Sequence, residues 1–208
     1  MKPASPNITL LRKHLLAWYR KSRRDLPWRR TRDPYHILVS EIMLQQTQVD
    51  TVIPYYHRFL KAFPTVSKLS RAPERKVLKL WEGLGYYSRA RNLHRAAKEV
   101  HSGFEGKVPD TLEKLESLPG IGRYTAGAVA SIAFDRRTPI VDGNVKRVLC
   151  RLFAIEDDPA ATSVKNRLWE LAESLVPGKS PGDFNQALME FGATLCRPRN
   201  PSCGECPV

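Results

Sequence analysis

Leu118-Pro119-Gly120-Ile121-Gly122-Arg123-Tyr124-Thr125-Ala126-Gly127 reads as the end of one helix, a glycine turn and the start of another. Gly120 and Gly122 permit positive φ and let the backbone approach a ligand closely. The apolar run from Thr125 to Ala133 opens a new helix. Its first-turn N–H groups, pointing out beside the glycines, suit a phosphate oxygen. Pro139-Ile140-Val141-Asp142-Gly143-Asn144 follows closely and sets a carboxylate at the start of a further helix. Each piece alone has an ordinary reading: Gly-x-Gly turns are common, and an aspartate before a helix is a common N-cap. Together, in a basic chain, they point to chemistry on a nucleic acid.

The chain has 208 residues, 42% of them hydrophobic, enough for one large domain or two small packed ones. Lysine and arginine number 34 against 21 acids, a net charge of +13. That excess is the electrostatic footprint of a polyanion binder, with nucleic acid first and an anionic membrane surface second. The sequence has no apolar run long enough to span a bilayer and no signal peptide, so a cytoplasmic location without membrane attachment is expected. Three of the four cysteines crowd the end as Cys196-x6-Cys203-x2-Cys206. In a cytosolic chain this clustering favours metal binding over disulfides. Cys150, within Val148-Leu149-Cys150, reads as a small buried hydrophobe.

Helical periodicity dominates and strand alternation is nearly absent, which predicts an all-α protein of about ten short helices. Leu11, Leu15 and Trp18 mark an amphipathic first helix, followed by a basic connector around Leu26-Pro27-Trp28. Pro34 opens a helix expected to run to about Thr47. Further helices are expected over 52–63, 65–70, 73–81, 87–100, 111–118, 124–133, 143–155, 162–176 and 182–195, with breaks at Gly83-Leu84-Gly85 and at 102–109.

Two carboxylates suit hydrolysis of a bond between a base and a sugar. That reaction is helped by protonating the departing base and by shielding the cationic sugar, as in glycoside hydrolysis. Glu41 is a lone acid in Val39-Ser40-Glu41-Ile42-Met43-Leu44. Burial there raises a carboxyl pKa and keeps a proton available. The alternative is a glutamate on the polar edge of that helix. Asp142, beside Gly143 and Asn144 at a helix start, is expected to stay ionised, as an oxocarbenium-like sugar requires, with Asn144 orienting it or a water.

These residues resemble the helix-hairpin-helix DNA glycosylases with a Gly/Pro loop and a catalytic aspartate, and within them the MutY-type adenine DNA glycosylases. The likeness is carried by Leu26-Pro27-Trp28-Arg29, the run from Ser40 through Gln45-Gln46-Thr47-Gln48-Val49, and the run from Trp81 through Tyr86-Tyr87 to His94. To these add the hairpin, the run from Val141 to Val148, and Phe184-Asn185-Gln186-Ala187-Leu188-Met189. The resemblance covers essentially residues 8 to 208. It implies a helix-hairpin-helix glycosylase fold with two helical subdomains, residues 30–135 and residues 1–29 plus 136–208, and the active site in the cleft between them. It also implies a monomeric, monofunctional enzyme acting on double-stranded DNA, which excises adenine mispaired with 8-oxoguanine or guanine.

Carried over residue by residue, the resemblance makes Glu41 the proton donor to adenine N7 and Asp142 the stabiliser of the sugar cation. Asn144 and Tyr124 support that aspartate and the reacting sugar. Gln46 and Tyr86 wedge into the duplex, and Arg29 and Gln186 lie near the adenine pocket. Gly120, Gly122 and Lys146 are expected to contact phosphate. Related endonuclease III-type enzymes carry a lysine at the position of Tyr124, whose amine attacks the sugar; a phenol cannot form that Schiff base. Two rivals remain at this stage: a thymine-mismatch glycosylase on the same scaffold, disfavoured by Gln45, Gln46 and Gln48, and a non-catalytic helix-hairpin-helix DNA-binding module.

The family's Cys-x6-Cys-x2-Cys-x5-Cys pattern binds a [4Fe–4S] cluster. Cys196, Cys203 and Cys206 match its first three ligands, while the fourth would fall at position 212. A chain truncated before that cysteine, and without the family's C-terminal 8-oxoguanine-recognition domain, is therefore expected. The cluster is expected to be labile or lost.

Overall fold

The computed structural model describes residues 6–208. Among them there are eleven α-helices and no strand: α1 (Ile8–Ser22), α2 (Pro34–Leu44), α3 (Val49–Ala62), α4 (Val66–Ser70), α5 (Glu74–Trp81), α6 (Tyr87–Gly103), α7 (Leu112–Glu116), α8 (Arg123–Phe134), α9 (Gly143–Leu152), α10 (Thr162–Leu175) and α11 (Pro181–Thr194). Short 3-10 turns occupy Pro27–Arg29 and Cys203–Glu205. The chain forms two compact units. An inserted unit spans Asp25–Phe134, and a terminal unit combines the described residues through Arg24 with Asp135–Val208. The subdomain expected to begin at residue 1 includes positions 1–5, which lie outside the described residues.

The inserted unit is organised around α2. Asp33 caps it, its Oδ1 accepting from the N–H groups of Tyr35 (2.8 Å) and His36 (3.1 Å), and Pro34 fills the first helical position, where no N–H partner is needed. Such a cap is worth about 1 kcal/mol. Tyr35 and every residue from Ile37 to Met43 are buried, Ser40 and Glu41 included. A helix apolar nearly all round belongs in a core, and α2 packs against α3, α6 and α8. On α8 the buried residues Ala126, Gly127, Ala128, Ala130 and Ser131 are small, which lets the two helix backbones approach. The helix stops at Leu44, three residues before the expected Thr47, because Gln45 leaves helical geometry (ψ 113°) and Gln46 is left-handed (φ 56°).

The hairpin joins α7 to α8. Gly120 is left-handed (φ 75°), and a Cβ there would stand 2.5 Å from Asn92 Cβ on α6, so only glycine fits. Gly122 corrects the sequence reading: it does not take positive φ. Its carbonyl accepts the Ala126 N–H at 3.0 Å, so it caps α8 in ordinary geometry, with open space where a side chain would stand.

In the terminal unit α11 packs against α1 and α9, and α10 against α9. Phe184, Leu188, Leu15, Tyr19 and Leu168 supply its core. The fully buried Glu190 carboxylate accepts from Arg24 N–H (3.0 Å), Nε (2.9 Å) and Nη2 (2.7 Å), tying the end of α1 to α11. Helix α9 ends at Leu152, short of the expected Ile155, where Ala154 turns left-handed (φ 47°). Cys150 is half-buried, less than expected. No helix among the described residues is long and apolar enough to cross a membrane.

Candidate active site

In the inserted unit, Glu41 lies near the end of α2 and is 5% exposed. This removes the polar-edge alternative. Tyr124, in the first turn of α8, donates its phenolic hydroxyl to Glu41 Oε2 at 2.8 Å. The α2–α8 packing creates the pair, and Gln45 Nε2, donating to Thr125 Oγ1 at 3.3 Å, adds a second tie between the same segments. A phenol donating to a carboxyl fixes its plane and rotamer, which a mid-helix glutamate cannot achieve through backbone groups already used by the helix. The pairing of Glu41 with Tyr124 is absent from the sequence reading, because eighty-three positions separate them and only tertiary packing brings them together.

Gln46 and Tyr86 are exposed, Tyr86 at 59%, and both are left-handed, with φ values of 56° and 47°. Non-glycine residues rarely adopt this conformation, and such strain collects at functional sites. Arg29 closes the 3-10 turn and is half-buried.

In the terminal unit, Asp142 is the N-cap of α9. Its Oδ1 accepts from Val145 N–H at 2.7 Å and its Oδ2 from Asn144 Nδ2 at 3.0 Å. Burial raises the Asp142 pKa above the usual carboxylate value, and these hydrogen bonds and the charge of Arg147 only partly oppose it. The ionised group expected from sequence therefore depends on its donors. Asn144 is itself held: its Oδ1 accepts from Arg147 Nη2 at 2.8 Å, which aims the amide nitrogen at Asp142. Arg147 also donates from Nη2 to Gly192 O (2.7 Å) and from Nε to Cys196 O (2.8 Å).

A Cβ on Gly192 would fall 2.7 Å from Asn144 Cβ and 3.1 Å from its backbone, so a glycine there lets α11 lie against Asn144. The sequence reading missed the roles of Arg147 and Gly192. The only signal for them was a glycine inside an otherwise bulky helical run. Lys146 and Gln186 are half-buried, on α9 and α11.

The three clustered cysteines are not brought together as a metal site. Among the described residues no group of three or more His, Cys, Asp or Glu side chains is placed to hold a metal ion. Cys196 Sγ accepts from Arg151 Nη1 at 3.3 Å, and the exposed Cys206 thiol donates to Val208 O at 3.0 Å.

Comparison with known proteins matches residues 39–174 to the family described as HhH-GPD superfamily base excision DNA repair protein. An adenine DNA glycosylase of Rattus norvegicus is 53% identical over 211 residues, covering 97% of this chain and 41% of its own length. One from Buchnera aphidicola is 45% identical over 195 residues, covering 93% of this chain and 55% of its own length. The chain thus spans about half the length of these curated relatives, or less. Among solved structures, a thermostable thymine-DNA glycosylase superposes with a TM-score of 0.86 at 35% identity, over 96% of this chain and 92% of that one.

Proposed function

The chain belongs to the HhH-GPD superfamily of base excision DNA repair proteins, and from that premise we propose that it is a monofunctional DNA glycosylase that hydrolyses the N-glycosidic bond of adenine mispaired with 8-oxoguanine or guanine. The observation that carries this reading is the buried Glu41 carboxyl with the Tyr124 phenol on it. A buried acid suits proton donation to a leaving base. The tyrosine occupies the position where a lyase of the resembling family carries its amine. Identity to proteins named adenine DNA glycosylase supports the choice of base.

The target base cannot be reached inside the stack, so the nucleotide leaves it before reaction. The net charge of +13 supplies the phosphate attraction that holds the duplex. The hairpin, with Gly120 in its left-handed turn and open space at Gly122, contacts the backbone, and Lys146 adds a phosphate contact. By the resemblance, Arg29 and Gln186 each contact the extruded adenine. Gln46 and Tyr86 enter the stack.

Glu41 donates its proton to N7 of adenine, so that the base departs as a neutral species when the C1′–N9 bond breaks. The sugar becomes oxocarbenium-like, and the Asp142 carboxylate stabilises it. Asp142 is oriented by the Val145 N–H and the Asn144 amide. Water adds its oxygen to C1′ and loses one proton, leaving an abasic site and free adenine. No amine bonds to the sugar, so the strand stays intact. Tyr124 keeps the Glu41 carboxyl in place through the 2.8 Å hydrogen bond.

A duplex holding adenine opposite 8-oxoguanine tests this. Abasic sites revealed by alkali, absent without alkali and absent with Glu41→Gln, are expected. No cleavage above that control would refute the assignment, and strand breaks without alkali would refute monofunctionality. The similarity to a thymine-DNA glycosylase favours a second reading. A duplex with thymine opposite guanine decides it: faster release of thymine than of adenine would replace the first reading.

A further inference from the structure

The segment that ends α2 and the turn that precedes α6 share one buried side chain. Arg89, in the first turn of α6, is 8% exposed. Its Nη1 donates to the carbonyls of Ile42 (3.1 Å), Met43 (2.9 Å) and Gln45. Its Nη2 donates to Thr47 Oγ1 (3.1 Å) and to the carbonyls of Leu84 (3.2 Å) and Gly85 (3.3 Å). The rings of Trp81 and Tyr86 lie 5.5 and 5.3 Å from the guanidinium carbon, within cation–π range. Arg89 Nε is buried without a partner.

This arrangement does several things at once. The last carbonyls of a helix lack intrahelical partners and carry partial negative charge. Helix α2 has no glycine at its end to turn the chain back on them. The guanidinium fills that role for the helix that carries Glu41. With its other nitrogen it holds the Leu84–Gly85 turn that delivers Tyr86. The two loops it joins contain Gln46 and Tyr86, both left-handed and both exposed. Such a backbone is strained and persists only where the surroundings over-determine it. The Tyr86 ring keeps only its contact with the Arg89 guanidinium and is otherwise exposed, which suits stacking against bases.

We propose, resting on the glycosylase reading above, that Arg89 is a positioning residue that clamps Gln45–Thr47 to Leu84–Gly85, so that Gln46 and Tyr86 meet the duplex already set to open the base stack. It acts on extrusion of the nucleotide and not on cleavage of the glycosidic bond. A lysine cannot substitute, because a single ammonium does not present a planar fork to six acceptors on the end of α2 and the two loops.

The test compares Arg89→Lys and Thr47→Val with the unaltered protein on two substrates. One is a fully paired duplex with adenine opposite 8-oxoguanine, and the other carries the same lesion inside a short unpaired bubble. A 2-aminopurine beside the adenine reports unstacking. Arg89→Lys is expected to lower the single-turnover rate on the paired duplex by about tenfold or more, the equivalent of one lost interaction, and to blunt the fluorescence rise. The loss should largely disappear on the bubble. Thr47→Val, which removes one acceptor, should show the same split more weakly.

An equal loss on both substrates with an undiminished fluorescence rise would overturn the proposal, as would rates unchanged by Arg89→Lys. Where far-ultraviolet dichroism shows Arg89→Lys to be unfolded, Thr47→Val decides, and the absence of a split in it counts against the clamp. Hydrogen exchange without DNA separates this idea from the glycosylase reading. Peptides over 44–48 and 83–87 should exchange faster in Arg89→Lys, and unchanged exchange in either overturns the clamp. A protein that releases no base from either substrate refutes the glycosylase reading alone, and the exchange result still decides for or against the clamp.

Discussion

Glu41 and Asp142 carry the same functional group in opposite surroundings. Glu41 sits within α2, buried, with a phenol donating to it. Asp142 stands just outside α9, where a backbone N–H and a side-chain amide donate to its two oxygens. A carboxyl in mid-helix meets a backbone already hydrogen-bonded to itself and must take its partner from another helix. A carboxyl at a helix start is offered orphan N–H groups and the positive end of the dipole. On the proposed reading the first setting suits a group that gives up a proton, and the second supplies donors that oppose the burial raising the Asp142 pKa. One chemical group would then perform two tasks because the local fold differs.

The largest effect is expected for Glu41→Gln. Glutamine preserves shape and a partner for Tyr124 but has no proton to give, so single-turnover adenine release should fall by about 10²–10⁴-fold. A rate within tenfold of the parent would break the comparison on its acidic side. Asp142→Asn keeps an equally good N-cap but removes the charge and the acceptor that Oδ2 offers the Asn144 amide. Release should fall by about 10²–10³-fold while the helical dichroism stays unchanged. If helicity falls with activity, Asp142 is a structural cap and the contrast between the carboxylates collapses.

The supporting donors come next. Tyr124→Phe removes the phenol from Glu41, and Asn144→Leu removes the amide from Asp142; each hydrogen bond to such a group is worth about 1.5–3 kcal/mol, a loss of about 10- to 150-fold. The pairs should be separable by double mutants. Tyr124→Phe should add little to Glu41→Gln, because both act through one carboxyl. Full additivity would mean that Tyr124 works elsewhere, for instance on the sugar, as the family resemblance implied.

Much of this contrast was legible in the sequence, and the missing part has one cause. Apolar spacing located α2, α8 and α9, and the lone acid in Val39–Leu44 identified Glu41, because burial of a helix leaves a periodic trace. Asp142 before Gly143 and Asn144 was readable as a cap for the same local reason. What the sequence did not disclose were partners from distant segments: Tyr124 on Glu41, Arg147 on Asn144, Gly192 against Asn144. Arg89 belongs with them, and its absence from the reading made α2 look three residues too long. The cysteine spacing suggests a ligand set by resemblance but discloses no distant partner, such as Arg151, whose Nη1 donates to Cys196 Sγ.

The smallest effect is an alkaline loss of stability in the inserted unit. Tyr35 and Tyr56 both lie in the inserted unit, and burial, followed by the charge of Asp33, raises both phenol pKa values, that of Tyr56 to about 12 from 10.0. The Tyr35 hydroxyl is also tied to Phe63 O at 2.8 Å, and the Tyr56 ring stands edge-on to Trp28. In the unfolded chain these phenols release their protons near pH 10, whereas in the fold they keep them. The folded state then binds more protons, so stability falls as pH rises. This contribution is intact below pH 10 and is lost for Tyr56 as the pH climbs through about 12. The inserted unit should therefore lose hydrogen-exchange protection in that window. Tyr56→Phe, with no proton to release, should move the loss to higher pH while leaving neutral-pH stability almost unchanged. Identical alkaline transitions in the two proteins would show that burial of Tyr56 places no tension on the fold.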